Sequence, residues 1–376
     1  MKFVKRALCA ALLAATLITP FSGRAETEYF TLKQLRENTE TRWTQTYETP
    51  YRTLEVDANI YLPEADAAPV LRVRQQDMSS PALTAEESGW DEVTGRSDSL
   101  ILYNEDLSVP RSQNGRKIKR EMTARGVWYE GFTPDAQYVP LSEISFGEIC
   151  EQIRAELTRF GMDADEYALD APARLWAQHY EYEGTTEDAL PGCILMTIYH
   201  KVRSIPVLAN AQNAARDPDD KRRAPSKDFA PVISLDLSAG YDAYSERISH
   251  LFIRRAEILD TLAEDVPLCS FDAVRASIEK DIETGRMDKI FDVHLGYLEY
   301  DEPVAEREKD NVRVYLKPAW IVSCRWLDKP QSAPSEASGD ERNAVDFYTF
   351  AYDAQTGERI FGSSIYDGFV GWDEVE

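Results

Sequence analysis

The chain has 376 residues, with 66 Asp and Glu against 42 Lys and Arg, a formal net charge of −24. So acidic a surface repels nucleic acid and anionic lipid headgroups, which argues against both as partners. Hydrophobic residues make up 43% of the chain and aromatics 11%, enough for a packed core and unlike a disordered chain.

The opening stretch, MKFVKRALCAALLAATLITPFSGRAETEYF, has the layout of a secretory signal. Lys2, Lys5 and Arg6 supply the positive start, Ala7 to Phe21 the apolar run, and Gly23-Arg24-Ala25 a small-x-small cleavage site. The apolar run is shorter than the roughly 18 residues of a membrane-spanning helix, and Pro20 breaks its end. We expect residues 1–25 to be a signal peptide cut after Ala25, an uncleaved anchor being the alternative. The mature protein is then secreted or associated with the cell envelope, with no further membrane span. Cleavage leaves 38 of the 42 Lys and Arg against all 66 acids, so the mature chain is more acidic still.

Residues 26–140 read as a β-rich N-terminal region. Thr31 can cap a short helix through Leu35 and Glu37. In RTLEVDANIYLP, the residues Leu54, Val56, Ala58, Ile60 and Leu62 recur with a period of two, as a half-buried strand requires. PEADAAP then reads as a turn and VLRVR as the returning strand of a hairpin. Gln75 to Ser99 has loop-like composition. The basic cluster Arg111, Arg116, Lys117, Lys119, Arg120 and Arg125 reads as an exposed charged strand or hairpin rather than an anion site.

A repeat follows. SFGEICEQIRAEL starts at Ser145 and SFDAVRASIEKDI at Ser270. Ile149 matches Val274, Ile153 matches Ile278 and Leu157 matches Ile282, every fourth residue, as one face of a helix requires. Each Ser is a good N-cap, and Glu148 completes a capping box in the first copy only. After the first helix, RLWAQHYEY, CILMTIYHKVRSIPVL and PVISLDLS supply strands, the last two separated by the loop DPDDKRRAPSKD; RISHLFIRRAEIL reads as a bridging strand, with a helix as the alternative. After the second, Thr284-Gly285 ends the helix. KIFDVHLGYLEY and VRVYLKPAWIVSCRW follow, the latter with Val312, Val314, Leu316, Trp320, Val322, Cys324 and Trp326 on one parity. Pro318 shares that parity but cannot donate to a ladder, so an edge or bulge is expected there. The excursion DKPQSAPSEASGDERN precedes the strand VDFYTFAY, the turn DAQTGE and a final short strand. The expected fold is therefore α+β: two tandem units, 141–262 and 263–376, each a helix on an antiparallel sheet, after the β-rich region.

Cys150, Cys193, Cys269 and Cys324 remain after cleavage, enough for two disulfides in any of three connectivities in an exported chain. Each unit has one Cys at its helix and one on a later strand. Bridges Cys150–Cys193 and Cys269–Cys324 would each staple a helix to its own sheet, with buried thiols as the alternative.

The order of elements, and several short motifs, resemble the PepSY-like modules of bacterial extracytoplasmic proteins, including YycH- and YycI-type regulators of a sensor kinase. The matching residues are Ser270-Phe271, Leu295-Gly296-Tyr297, Leu316 to Trp320, Tyr352-Asp353-Ala354 and Thr356-Gly357-Glu358, with YHKVRSIPV (Tyr199 to Val207) in the first unit. Ser204 stands where those modules usually carry Gly. The chain also looks like secreted clostridial proteins grouped as a domain of unknown function. The resemblance spans Leu141 to Phe361 and implies a module that binds or restrains a partner protein, with no catalytic residues to carry over.

Residues able to do chemistry are scattered. His179, His200, His250 and His294 contain no helical His-x-x-x-His pair and no HExxH, so no metal or cofactor is expected. Ser277-Ile-Glu-Lys280 matches Ser-x-x-Lys, but on an ordinary amphipathic helix. Asp163, Asp165 and Asp170 in GMDADEYALD lack the central Gly and terminal Glu of an EF-hand. Trp43, Trp90, Trp128, Trp176 and Trp372 could form a carbohydrate-stacking surface, whereas Trp320 and Trp326 read as core. In FAYDAQTGERI, Asp353 and Glu358 flank a turn with Gly357 at positive φ. The function expected is non-enzymatic binding or regulation of an extracytoplasmic protein or peptide. The alternative is a secreted hydrolase, glycoside- or peptide-directed, using paired carboxylates.

Overall fold

The computed structural model describes residues 28–104, 117–124, 127–129, 146–169, 174–181, 193–210, 235–242, 247–301, 313–326 and 346–360. The signal peptide at 1–25 and the final stretch 361–376 lie outside them. The described residues form mostly strand, in three sheets, with four α-helices among them.

Helix α1 (Leu32–Asn38) starts at Thr31, whose side chain accepts from the Gln34 N–H while Gln34 reaches back to the Thr31 N–H. That reciprocal pair satisfies two of the helix's orphan donors. The strands β1 (Tyr29–Phe30) and β16 (Leu268–Cys269) make a small two-stranded sheet.

The largest sheet has nine strands. Its spine is β17 (Met287–Asp301) against β18 (Arg313–Trp326), antiparallel over most of their length. β4 (Val70–Gln75) and β15 (Ala256–Ala263) extend it on one side. On the other side lie β12 (Ile205–Asn210) and β3 (Thr53–Tyr61), both parallel to β17. The order is completed by β2 (Arg42–Glu48) on β3, β11 (Lys201–Val202) on β12, and β19 (Asp346–Asp353) on β18. The parity read for β18 holds for Val314, Leu316, Trp320, Val322, Cys324 and Trp326, which all enter one core; Val312 lies outside the described residues. Pro318 occupies neither an edge nor a bulge. β4 pairs with β18 up to Leu316 and β19 takes over from Ala319, so Pro318 sits at the seam between two neighbours, where no ladder donor is needed.

The second sheet runs β5 (Glu92–Gly95), β6 (Leu100–Tyr103), β14 (Arg247–Ile253), β13 (Asp236–Asp242), β10 (Cys193–Tyr199), β9 (Arg174–Glu181), β7 (Lys117–Ala124), β8 (Val127–Tyr129). Lys117, Lys119 and Arg120 of the basic cluster lie on β7, which pairs with β8; Arg111, Arg116 and Arg125 lie outside the described residues. Helix α2 (Ala85–Ser88) precedes β5, so the segment read as loop contains two elements.

Two helices carry the repeat. In α3 (Phe146–Arg159), Ile149, Ile153 and Leu157 are buried in the core of the eight-stranded sheet. In α4 (Phe271–Glu283), Val274, Ile278 and Ile282 are buried in the core of the nine-stranded sheet. Ser270 caps α4, accepting from the Ala273 N–H; Ser145 lies outside the described residues.

The tandem-unit architecture is corrected by the strand order. The protein is a mostly-β structure whose sheets draw strands from all three sequence regions. β4 of the N-terminal region lies between β18 and β15, and β5–β6 of that region edge the eight-stranded sheet. β12, read as part of the first unit, pairs with β17 of the second. The β3–β4 hairpin does not form, because β3 pairs with β2 and β17 while β4 pairs with β18 and β15. RISHLFIRRAEIL is two strands, β14 and β15, in different sheets. The physical reason is general: alternation fixes which face of a strand is buried, but any strand with a matching apolar face can be its neighbour.

Candidate functional site

A cleft of about 210 Å³ opens where α3 faces the ends of β6 and β14. Gln152, Ala155, Glu156 and Arg159 form one wall. Their spacing of i, i+3, i+4, i+7 places them on one stripe of α3, beside the apolar stripe that fixes the helix to its sheet. Ser88, the last residue of α2, and Gly89 and Trp90 just after it form the floor; Asn104 follows β6, and Arg247 and Ile248 open β14.

Hydrogen bonds hold the walls in place. The buried Trp90 indole donates to Glu156 Oε2 at 2.9 Å. Arg159 Nη1 lies 3.4 Å from Glu156 Oε1, and its Nη2 donates to the carbonyls of Glu87 and Ser88. Asn104 Nδ2 donates to the Ile248 carbonyl at 3.1 Å, and its Oδ1 accepts from the Asp91 N–H at 3.4 Å. Glu156 is the one carboxylate in the lining, already engaged by an indole and a guanidinium. Arg247 is exposed and makes no side-chain hydrogen bond or ion pair among the described residues. The cleft therefore offers recognition groups on a fixed frame, and lacks a facing pair of carboxylates in its lining.

Among the described residues the histidines do not come together; the His179 side chain lies outside them. His200 is buried where the chain crosses from β10 into β11. Its Nε2 lies 3.8 Å from Glu166 Oε2, which accepts from Arg255 Nε at 2.9 Å, and its ring meets Tyr167 edge-on. Burial pushes the His200 pKa down against the pull of Glu166, while the His200 contact and Arg255 hold the Glu166 carboxyl low. His250 sits against Gly240, and burial lowers its pKa as well. His294 Nε2 is 3.2 Å from Asp292 Oδ1 and stacks on Tyr61. Among the described residues no cluster of three or more ligating side chains could hold a metal, and no helix is long and apolar enough to cross a membrane.

The other candidate residues have structural places. Asp163 caps a 3-10 turn (Ala164–Glu166), and Asp165 pairs with Arg154 at 3.0 Å; Asp170 lies outside the described residues. Ser277 is buried on the core side of α4. Trp43, Trp90, Trp320 and Trp326 are all buried, which leaves no sugar-stacking face among them; the side chains of Trp128, Trp176 and Trp372 lie outside the described residues. Cys150, Cys269 and Cys324 are buried, and Cys269 and Cys324 are thiols not joined to each other. Burial pushes the Cys269 thiol up to about 12 and that of Cys324 higher still. The Cys193 side chain lies outside the described residues.

The turn in FAYDAQTGERI is as read. Asp353 Oδ1 accepts from the N–H groups of Gln355 and Thr356, at 2.8 and 2.9 Å, and Gly357 has φ +72°. Just beyond it, Arg359 Nη1 donates to Asp281 Oδ1 at 2.5 Å and Tyr352 Oη to Asp281 Oδ2 at 2.7 Å. The Arg359 guanidinium also lies 4.0 Å from the Phe350 ring centroid. These contacts clamp the final hairpin onto α4.

Sequence reasoning missed the cleft. The stripe Gln152, Ala155, Glu156 and Arg159 is a polar face of α3 that carries no signal of its own, and Asn104 and Arg247 reach it only through the pairing of β6 with β14.

No protein-family model matches the chain, and no curated protein matches it. Among solved structures it is similar to the crystal structure of an uncharacterized protein from Eubacterium rectale ATCC 33656. The two are 14% identical with a TM-score of 0.50, over 86% of this chain and 96% of that one. At that identity, what the two chains share is the fold.

Proposed function

We propose that the protein is exported and acts outside the cytoplasm as a non-enzymatic binding protein for a protein or peptide. The observation that carries this reading is the cleft beside α3. Its lining combines a buried indole, two guanidiniums and two amides, with the Trp90, Asn104 and Arg159 groups held by bonds within the walls. Polar groups fixed in position beside an indole are what orient and select a ligand at a recognition site. The motifs shared with PepSY-like modules, Leu295-Gly296-Tyr297 and Leu316 to Trp320 among them, support the same reading, as do the signal-like first 25 residues.

The test is site-specific photo-crosslinking in the native cell envelope. A benzophenone side chain at the exposed cleft position Ala155 should give a discrete adduct that the same probe at Glu37, exposed on α1, does not give. Repeated absence of an adduct from position 155, or the same adducts from both positions, would overturn the reading.

A further inference from the structure

We infer that the cleft beside α3 selects a single carboxylate, carried by a peptide of neutral or basic net charge, with Arg247 as its partner. The inference rests on the reading that this cleft binds peptide, and adds the chemistry that decides which peptide.

Three observations lead there. The other charged and indole groups of the lining are spoken for, since Trp90 holds Glu156 and Arg159 holds Glu156 and two carbonyls; the Asn104 amide is likewise engaged with β14. Arg247 is the exception. It stands exposed at the rim and makes no ion pair among the described residues, in a chain with 66 acids to 42 bases. Nearby arginines show what such a chain ordinarily does with a guanidinium: Arg154 holds Asp165, Arg254 holds Asp236 and Arg255 holds Glu166. A lining guanidinium with no ion pair among the described residues is a group that a ligand carboxylate can engage with two parallel hydrogen bonds.

Size and field narrow the ligand. About 210 Å³ is below the ~300–1,000 Å³ of small-molecule and cofactor sites, so the cleft suits one side chain of a larger partner. Glu156 is engaged by Trp90 and lies beside Arg159, so it opposes the incoming carboxylate less than an isolated acid would. At longer range the acidic surface repels any partner with excess negative charge. A neutral or basic peptide with one Glu or Asp satisfies both conditions.

The experiment uses the full mature chain and two peptide pools, acetyl-Lys-X-Glu-X-Lys-amide and the same with Gln for Glu, X being randomised over uncharged residues. Equilibrium dialysis followed by mass spectrometry reads the bound fraction of each. We expect the Glu pool to be bound about tenfold or more tightly than the Gln pool, the scale of one charge-assisted pair. Arg247→Gln should bring that ratio to about one without changing the melting temperature, since the side chain is exposed. Equal binding of the two pools, a ratio that survives Arg247→Gln, or no saturable binding of the Glu pool would overturn the inference. An adduct from position 155 that persists beside any of these results would leave the binding reading standing and sink only the carboxylate assignment.

Discussion

Replacing Gly357 by alanine adds two costs at one residue, and the structure supplies a control for one of them. Gly357 has φ +72°, and Gly161, after α3, has φ +74°. An L-residue in that region costs about 1–2 kcal/mol, and the stiffer unfolded chain returns about 0.4–1 kcal/mol. Gly161→Ala should therefore destabilise by roughly 1 kcal/mol, because a Cβ there meets nothing within 4 Å. At Gly357 the Cβ would lie 3.1 Å from the carbonyl carbon and oxygen of Ala273 and 3.3 Å from the Val274 nitrogen. Those atoms are backbone of the first turn of α4. They are held by the Ser270 cap and by the Cys269 N–H, which donates to the Ala354 carbonyl at 2.8 Å. Overpacking against atoms that cannot swing aside adds about 1–3 kcal/mol, so Gly357→Ala should cost roughly 2–4 kcal/mol in all. Urea unfolding of the mature chain, followed by tryptophan fluorescence and far-UV circular dichroism, measures both variants against the parent. If Gly357→Ala proves no worse than Gly161→Ala, the final hairpin is not seated on α4 and the packing argument fails.

Three further outcomes follow from buried groups. Asp281→Asn should destabilise by about 3–5 kcal/mol, because Arg359, with 12% of its side chain exposed, loses its buried carboxylate; a loss below about 1 kcal/mol in the same urea assay would contradict the clamp. Burial lowers the pKa of His200 below the unfolded value of about 6.5, so the unfolded chain binds the proton more readily. Its contribution to stability is then present above that value and lost as pH falls through it. The melting temperature should drop between pH 7 and 5.5, less steeply in His200→Gln, with the His250 share remaining; an unchanged slope in the variant would count against the account. Cys269 and Cys324 should resist alkylation at pH 8 in the native state and react fully in urea, since burial raises both thiol pKa values; a Cys269–Cys324 disulfide found by peptide mapping would contradict this.

Local features were legible in the sequence because local physics decides them. The Ser270 cap, the core stripe Val274/Ile278/Ile282, the buried parity of β18 and the positive φ at Gly357 each depend on a few neighbouring residues. The neighbours of a strand do not. Nothing in TLEVDANIY distinguishes pairing with VLRVR from pairing with RWTQTYE and with β17, so an expected hairpin became two separated strands. The seam at Pro318 likewise depends on two strands, β4 and β19, that lie more than 240 residues apart. Ser204 takes φ +63° in the β11–β12 turn without being glycine, a strained place that composition alone does not reveal. The cleft was hidden for the same reason as the topology: half of it is one helical stripe, and the other half arrives through strand order.

The most direct test of the central claim is the indole N–H signal of Trp90, assigned in a nitrogen-labelled, deuterated mature chain by its disappearance in Trp90→Phe. That proton lies in the hydrogen bond to Glu156 on the cleft floor, whereas Trp43, Trp320 and Trp326 are buried in the other core. On titration with the Glu-containing peptide pool, the account predicts a saturable shift of the Trp90 signal while the signals of Trp43, Trp320 and Trp326 stay in place. A Trp90 signal that stays fixed while peptide is bound, or a shift confined to those three, would place the binding site elsewhere.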